Sequence, residues 1–302
     1  MTRAALAACV LLASALPLRA QPPNIDERVI YASVVDGKGA PVSNITAKDL
    51  VIREDGQARE ILNIQKDADP LQVALLIDNS VAMRDNVSDL RRAVSTFINS
   101  LRPGVQLALF TLAERPTIVA NYTADHAALL RSVDKIVVYD AGNYVLDGIA
   151  EAAEGLSKRS TVRSMVVVVT GTGPELSYRH YSEVIRPLRE SGASLHALLV
   201  RTQPADDVSR LPERAVPDDP GGAGGAMGRD IVLGRMTKET GGRYEELGTI
   251  HSLTANLQQL SAEISNQYRV TYARPERLIP PRSTEISAKQ PSVHVRGTLF
   301  RK

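Results

Sequence analysis

Two apolar runs decide what this chain can fold into. Val73-Ala-Leu-Leu-Ile77 and Met165-Val-Val-Val-Val169 carry no polar side chain at all. A strand with one wet face alternates apolar and polar residues, whereas a strand covered on both faces does not. Both runs therefore read as strands at the centre of a parallel sheet, and such a sheet needs helices on each side. The first run stops at Asp78, followed by the small polar residues Asn79 and Ser80. Open α/β sheets place ligands beyond the carboxyl ends of their strands, which makes Asp78 a candidate site residue.

The flanking sequence supplies the covering layers. Val87, Leu90, Val94, Phe97, Ile98 and Leu101 fall on one face of a helix over 85–101, ended by Pro103-Gly104. Further helices are expected over 124–136 with Thr123 as N-cap, and over 144–157, 181–191, 229–240 and 250–266. Strands are expected over 105–112, 117–122, 194–200 and 243–245. The periodicity is β-like at both ends of the chain. Strands over 28–35, 50–53 and 60–64, the last two about an Asp55-Gly56 turn, lie before the alternation. Strands over 267–273, 283–288 and 293–299 lie after it. Neither set is large enough for a core of its own. The expected architecture is a doubly wound, mostly parallel α/β sheet over 69–266, inserted in a small discontinuous β-sandwich-like domain of 26–68 plus 267–302. Residues 203–228, rich in Pro, Gly and Asp, read as a flexible loop.

Composition narrows the function. Arg3, an apolar run from Leu6 to Leu16 and the small residue Ala20 have the layout of a secretory signal peptide over 1–20, with retention as an anchor the second reading. Leu6-Ala7-Ala8-Cys9 is a poor lipoprotein signal, because most of the apolar run follows the Cys. Cleavage removes two Arg and no acid, so the 36 basic residues fall to 34, against 34 acidic ones. A neutral chain has no overall attraction for nucleic acid or an anionic membrane. Cys9 is the only cysteine, so the mature protein has no thiol for catalysis or metal binding. No mature stretch approaches the roughly 20 apolar residues of a membrane span. The protein is therefore expected in the periplasm, on the cell surface or secreted.

Several motifs invite and fail a catalytic reading. Gly37-Lys38-Gly39 lacks the rest of a phosphate loop, and Thr170-Gly-Thr-Gly173 has Leu176 where a dinucleotide fingerprint needs its third glycine. The five His are scattered without zinc spacing. A Ser80–His180–Asp78 hydrolase is a remote alternative, since neighbouring strand-end residues seldom adopt triad geometry.

The order of elements, Thr46-Ala-Lys-Asp-Leu50, Val73 to Met83, Thr240-Gly-Gly-Arg-Tyr244 and Gln267-Tyr-Arg-Val-Thr-Tyr272 together resemble a von Willebrand factor type A domain of the kind found in bacterial proteins. The resemblance implies a Rossmann-like, non-enzymatic module that binds a protein partner through the loops after its strands. It also implies a metal-ion-dependent adhesion site, built from D-x-S-x-S, a Thr in a second loop and an Asp in a third. Asp78 and Ser80 match that pattern, but the second Ser falls on Ala82, the Thr on Asn143 and the last Asp on Gly171. Asp78, Ser80 and Asn143 are then the metal candidates, and no cofactor is expected beyond weakly held Mg²⁺. Partner contacts are expected from Met83, Arg84, Tyr144, Thr172, Tyr178 and Arg179 in loops 78–85, 140–146 and 171–181, in part because Tyr and Arg are common binding hot spots. The runner-up is an adhesion protein that uses Mg²⁺ or Mn²⁺ in a modified site. The partner's identity and the oligomeric state are not written in the sequence.

Overall fold

In the computed structural model, residues 25–159, 161, 163–202, 225–276 and 281–299 are described. The expected leader (1–20) and most of the expected flexible loop lie outside them. Residues 225–228, expected to be part of that loop, instead form the first turn of a helix.

The centre is a six-stranded sheet. Strands β5 (Leu71–Ile77), β6 (Gln106–Thr111), β7 (Thr117–Thr123), β8 (Arg163–Gly171), β9 (Ser194–Val200) and β10 (Tyr244–Leu247) lie in the order β10-β9-β8-β5-β6-β7. Every neighbouring pair is parallel except β6 and β7, which are antiparallel and slip in register at two points. The two wholly apolar runs are adjacent, with Val73 opposite Met165 and Ile77 opposite Val169. Every residue of β5 is buried, as expected for a strand covered on both faces.

The pleat sends alternate residues into two cores. Val73, Leu75 and Ile77 face the helices α1 (Val87–Ser100), α2 (His126–Val133) and α6 (Leu253–Ser265). Ala74 and Leu76 face α3 (Val145–Ser157), α4 (Tyr181–Ser191) and α5 (Gly225–Glu239). The sheet is therefore doubly wound. α1 is shorter than its apolar periodicity suggests, because residues 81–86 wind first as a tighter 3-10 turn capped by Ser80. The N-cap of α2 is Asp125, whose carboxylate accepts from the Ala128 amide at 3.0 Å. Thr123, expected to cap it, uses its hydroxyl one step earlier, on the Asp125 amide.

Two smaller sheets flank this unit. One has the order β13-β1-β11-β4, from β1 (Ile25–Asp36), β4 (Ile61–Lys66), β11 (Tyr268–Pro275) and β13 (Val293–Leu299). The other joins β2 (Leu50–Glu54) to β3 (Gln57–Arg59) and β12 (Thr284–Ala288). Asp55 and Gly56, at φ 48° and 79°, close the β2–β3 hairpin with the left-handed pair that suits strand twist. The two sheets share a third core of Ile30, Val34, Ile52, Val270 and Tyr272. Buried charge joins this part to the central sheet. The Arg163 guanidinium contacts Asp67 and Gln267, while Arg296 grips Glu263 of α6 at 2.6 and 3.0 Å. Among the described residues, no helix is long and apolar enough to cross a membrane.

Candidate functional site

The site lies where β5 and β8 end. Asp78 continues β5 for one residue, its amide donating to the Val169 carbonyl at 2.8 Å, and its side chain is wholly buried. One carboxylate oxygen, Oδ1, accepts from the Ser80 amide at 2.8 Å. The other, Oδ2, accepts from the Gly171 amide at 2.9 Å, the Thr170 hydroxyl at 3.0 Å and Asn143 Nδ2 at 3.1 Å. A single carboxylate thus ties three loops together, and burial makes each of those bonds necessary.

Asn79, not singled out from the sequence, does the same toward β6. Its Oδ1 accepts from the Leu112 and Ala113 amides at 3.1 and 2.8 Å, and its Nδ2 donates to the Val137 carbonyl at 2.8 Å. An Asn after a strand reads as an ordinary turn residue, so only the fold reveals its span.

A second clamp holds the loop after β8. The Val145 and Asp147 amides open α3 and would be unpaired donors. Glu175 accepts from Val145 at 3.1 Å and Ser177 Oγ accepts from Asp147 at 3.1 Å. In return the Asp147 carboxylate accepts from the Tyr178 and Arg179 amides at 3.0 and 3.1 Å. This is a capping arrangement built between two remote segments. Burial pushes the Glu175 carboxyl up to about 7, against the opposing pull of its Ser177 and Val145 bonds and of the Arg229 charge.

The residues read from the sequence separate into two groups. Asp78, Ser80 and Asn143 do come together. Asn143 has a wholly buried amide whose Oδ1 finds no partner among the described residues. Tyr178 is 73% exposed at the loop tip, with its ring 6.0 Å from that of Tyr144. Arg84 reaches Asp140 across the loops, and Arg179 donates to Glu154 at 2.8 Å. Thr172 is turned toward Thr202, their hydroxyls 3.3 Å apart. Met83 and Tyr144 correct the expectation. Met83 is wholly buried in the α1 core, and Tyr144 packs on Leu176 and Val81, so neither side chain belongs to the outer surface. Both are large apolar groups in short loops, and burying them is what fixes those loops. His180 caps α4 through a capping box and has no contact with Asp78 or Ser80, which removes the geometry of a triad.

A hard divalent cation wants an octahedron of oxygen donors, usually including one or two carboxylates. Here the one carboxylate at the centre already accepts four hydrogen bonds from the protein. Ala82 brings a methyl group where a hydroxyl belongs, and it is packed against the third loop. A Cβ added at Gly173 would come within 2.5 Å of the Ala82 methyl. No group of three or more His, Cys, Asp or Glu suited to a metal occurs among the described residues. The residues present do not fit the ion that the pattern implies.

Comparison with known proteins places this arrangement. The family model described as von Willebrand factor type A domain matches residues 73–174. No curated protein matches the sequence. Among solved structures, proximal thread matrix protein 1 from the mussel byssus aligns at 14% identity and a TM-score of 0.50, covering 71% of this chain and 51% of that one. A von Willebrand factor type A structure from Catenulispora acidiphila aligns at 12% identity and a TM-score of 0.48, covering 92% and 73%. BatB from Bacteroides thetaiotaomicron aligns at 15% identity and a TM-score of 0.46, covering 64% and 98%. The chain spans about half the length of the mussel protein, and at these identities the likeness is one of fold. The strand order and the strand-end Asp78 agree with this match, so residues 73–174 are the part of the chain similar to the von Willebrand factor type A domain family.

Proposed function

We propose that this protein is an exported, non-enzymatic interaction module that binds a protein partner through loops 78–85, 140–146 and 171–181, without a tightly held metal. One observation carries the reading. Tyr178 projects into solvent from a loop whose own backbone is pinned by Asp147, Glu175 and Pro174. A rigidly held aromatic loses little freedom on binding, and this is the economy of a recognition residue. The Ser–His contact at these loops, Ser182 with His180 at 2.7 Å, belongs to the exposed cap of α4, and the buried carboxylates Asp78, Asp147 and Glu175 are occupied in holding backbone. Export is supported by the leader-like layout of residues 1–20, and mass spectrometry of the secreted or periplasmic protein checks it by a mature N-terminus near Gln21.

The test is calorimetry on the mature protein with Mg²⁺ and Mn²⁺, joined to partner capture from native extract in chelator. We expect no millimolar or tighter metal binding, capture undiminished by chelator, and a loss of about thirtyfold in affinity for Tyr178→Ala, the threshold of a binding hot spot. Metal binding that disappears in Asp78→Ala, or capture abolished by chelator, favours the metal-dependent adhesion reading instead.

A further inference from the structure

Arg229 stands near the start of α5 with its side chain almost wholly buried. A guanidinium in that position is costly unless its N–H groups are met. Its Nη1 donates to the backbone carbonyls of Gly173 at 3.1 Å and Gly171 at 3.4 Å, and its Nε pairs with Asp230 at 2.9 Å. Gly171 is thereby engaged from both sides. Its amide gives a hydrogen bond to Asp78 Oδ2, and its carbonyl receives one from Arg229. One residue links a buried carboxylate to a buried cation, and it is the residue that stands where the adhesion-site pattern has its last Asp. Gly173, the second carbonyl that Arg229 holds, is the glycine packed on the Ala82 methyl.

We propose that Arg229 takes over the positional role of the missing metal: its fixed charge fastens the loop after β8 to the Asp78 centre, so that the partner-facing loops keep one arrangement at any concentration of divalent cation. This rests on the metal-free reading of the site. A bound metal can be removed by a chelator and lets loops change with cation supply. A guanidinium on the protein's own helix cannot be removed, and it bonds to carbonyls that need no second carboxylate. Ala82 and Gly171, which bring neither the hydroxyl nor the carboxylate of the adhesion-site pattern, accord with a tethered cation in place of a dissociable one.

Amide hydrogen exchange by mass spectrometry on the full chain tests this. Protection of residues 171–179 in the unaltered protein should be equal in chelator and in millimolar Mg²⁺. Arg229→Ala should speed exchange there about tenfold, the scale of one lost hydrogen bond to a charged group, with residues 73–77 and 165–169 unaffected. Guanidinium ion at low millimolar concentration should restore part of the protection, an effect that a merely structural filler would not show. If Arg229→Ala loses protection throughout, Arg229→Lys decides, since one ammonium does not serve both carbonyls in the same geometry. Unchanged exchange at 171–179 in whichever variant folds overturns the role of Arg229 and leaves the metal-free reading standing. Protection in the unaltered protein that rises with Mg²⁺ overturns both.

Discussion

Four donors converge on Asp78, from Ser80, Asn143, Thr170 and Gly171, and a carboxylate has about four lone-pair positions to give. That saturation turns a metal ligand into a structural tie. Asp78→Asn is therefore a test of stability rather than of metal affinity. The amide keeps one acceptor oxygen and turns its own N–H groups on donors that the carboxylate had satisfied. We expect a loss of about 3 kcal/mol in urea unfolding, the scale of buried donors left unmet, with the midpoint equal in chelator and in Mg²⁺. A midpoint that falls only when metal is removed contradicts the assignment. Ala82 makes a complementary case. Its methyl fills the space beside Gly173, so Gly173→Ala forces two methyl groups into one site, and the expected cost is about 1–3 kcal/mol by overpacking.

At the level of elements, the reciprocal clamp between α3 and the loop after β8 has a pH signature. Glu175 titrates near 7 when folded, because burial disfavours its charge, and near 4.5 when unfolded. The folded state thus holds the proton more tightly. Its contribution is fully present below about pH 4.5 and is lost as pH rises through 7. The full span is on the order of 3 kcal/mol. Glu175→Gln should remove that slope, so the difference in stability between variant and parent should move in the variant's favour from pH 5 to pH 8. A constant difference rules the account out. How much of this was legible follows from the kind of signal each element leaves. Val73 to Ile77 and Met165 to Val169 declare themselves because burial on both faces forbids polar residues. Asp78 declares itself by ending such a run. Asp147 looks like any acid in a first helical turn, and Arg229 like any surface cation on a helix. Their partners lie 31 and 56 residues away in sequence, and only the wound sheet brings them together. The burial of Met83 and Tyr144 was hidden for the same reason, since a residue type that suits a binding surface suits a core equally well.

At the scale of the whole molecule, β1 lies between β11 and β13, and β2 pairs with β12. Strands from the two ends of the sequence therefore alternate in the four-stranded sheet and pair once in the three-stranded one. Deleting residues 267–302 strips β1 of both neighbours, so we expect amide protection over 26–66 to collapse. Protection retained there would show that the first strands stand alone. His196 adds a pH slope opposite to that of Glu175. Burial holds its imidazole down to about 4, so stability falls as pH drops from 6.5 toward 4. The two groups offset one another over the mildly acidic range. The position of the α/β unit in this interlaced frame also bears on how it would respond to pulling. The chain enters it from β4 and leaves it into β11, and these two strands are neighbours, with Lys66 directly opposite Tyr268. Entry and exit form a clasp. Tension applied to the chain on either side must part β11 from β1 and β4 before it can unravel β5, so the strand that ends at Asp78 is shielded from a pull transmitted along the chain.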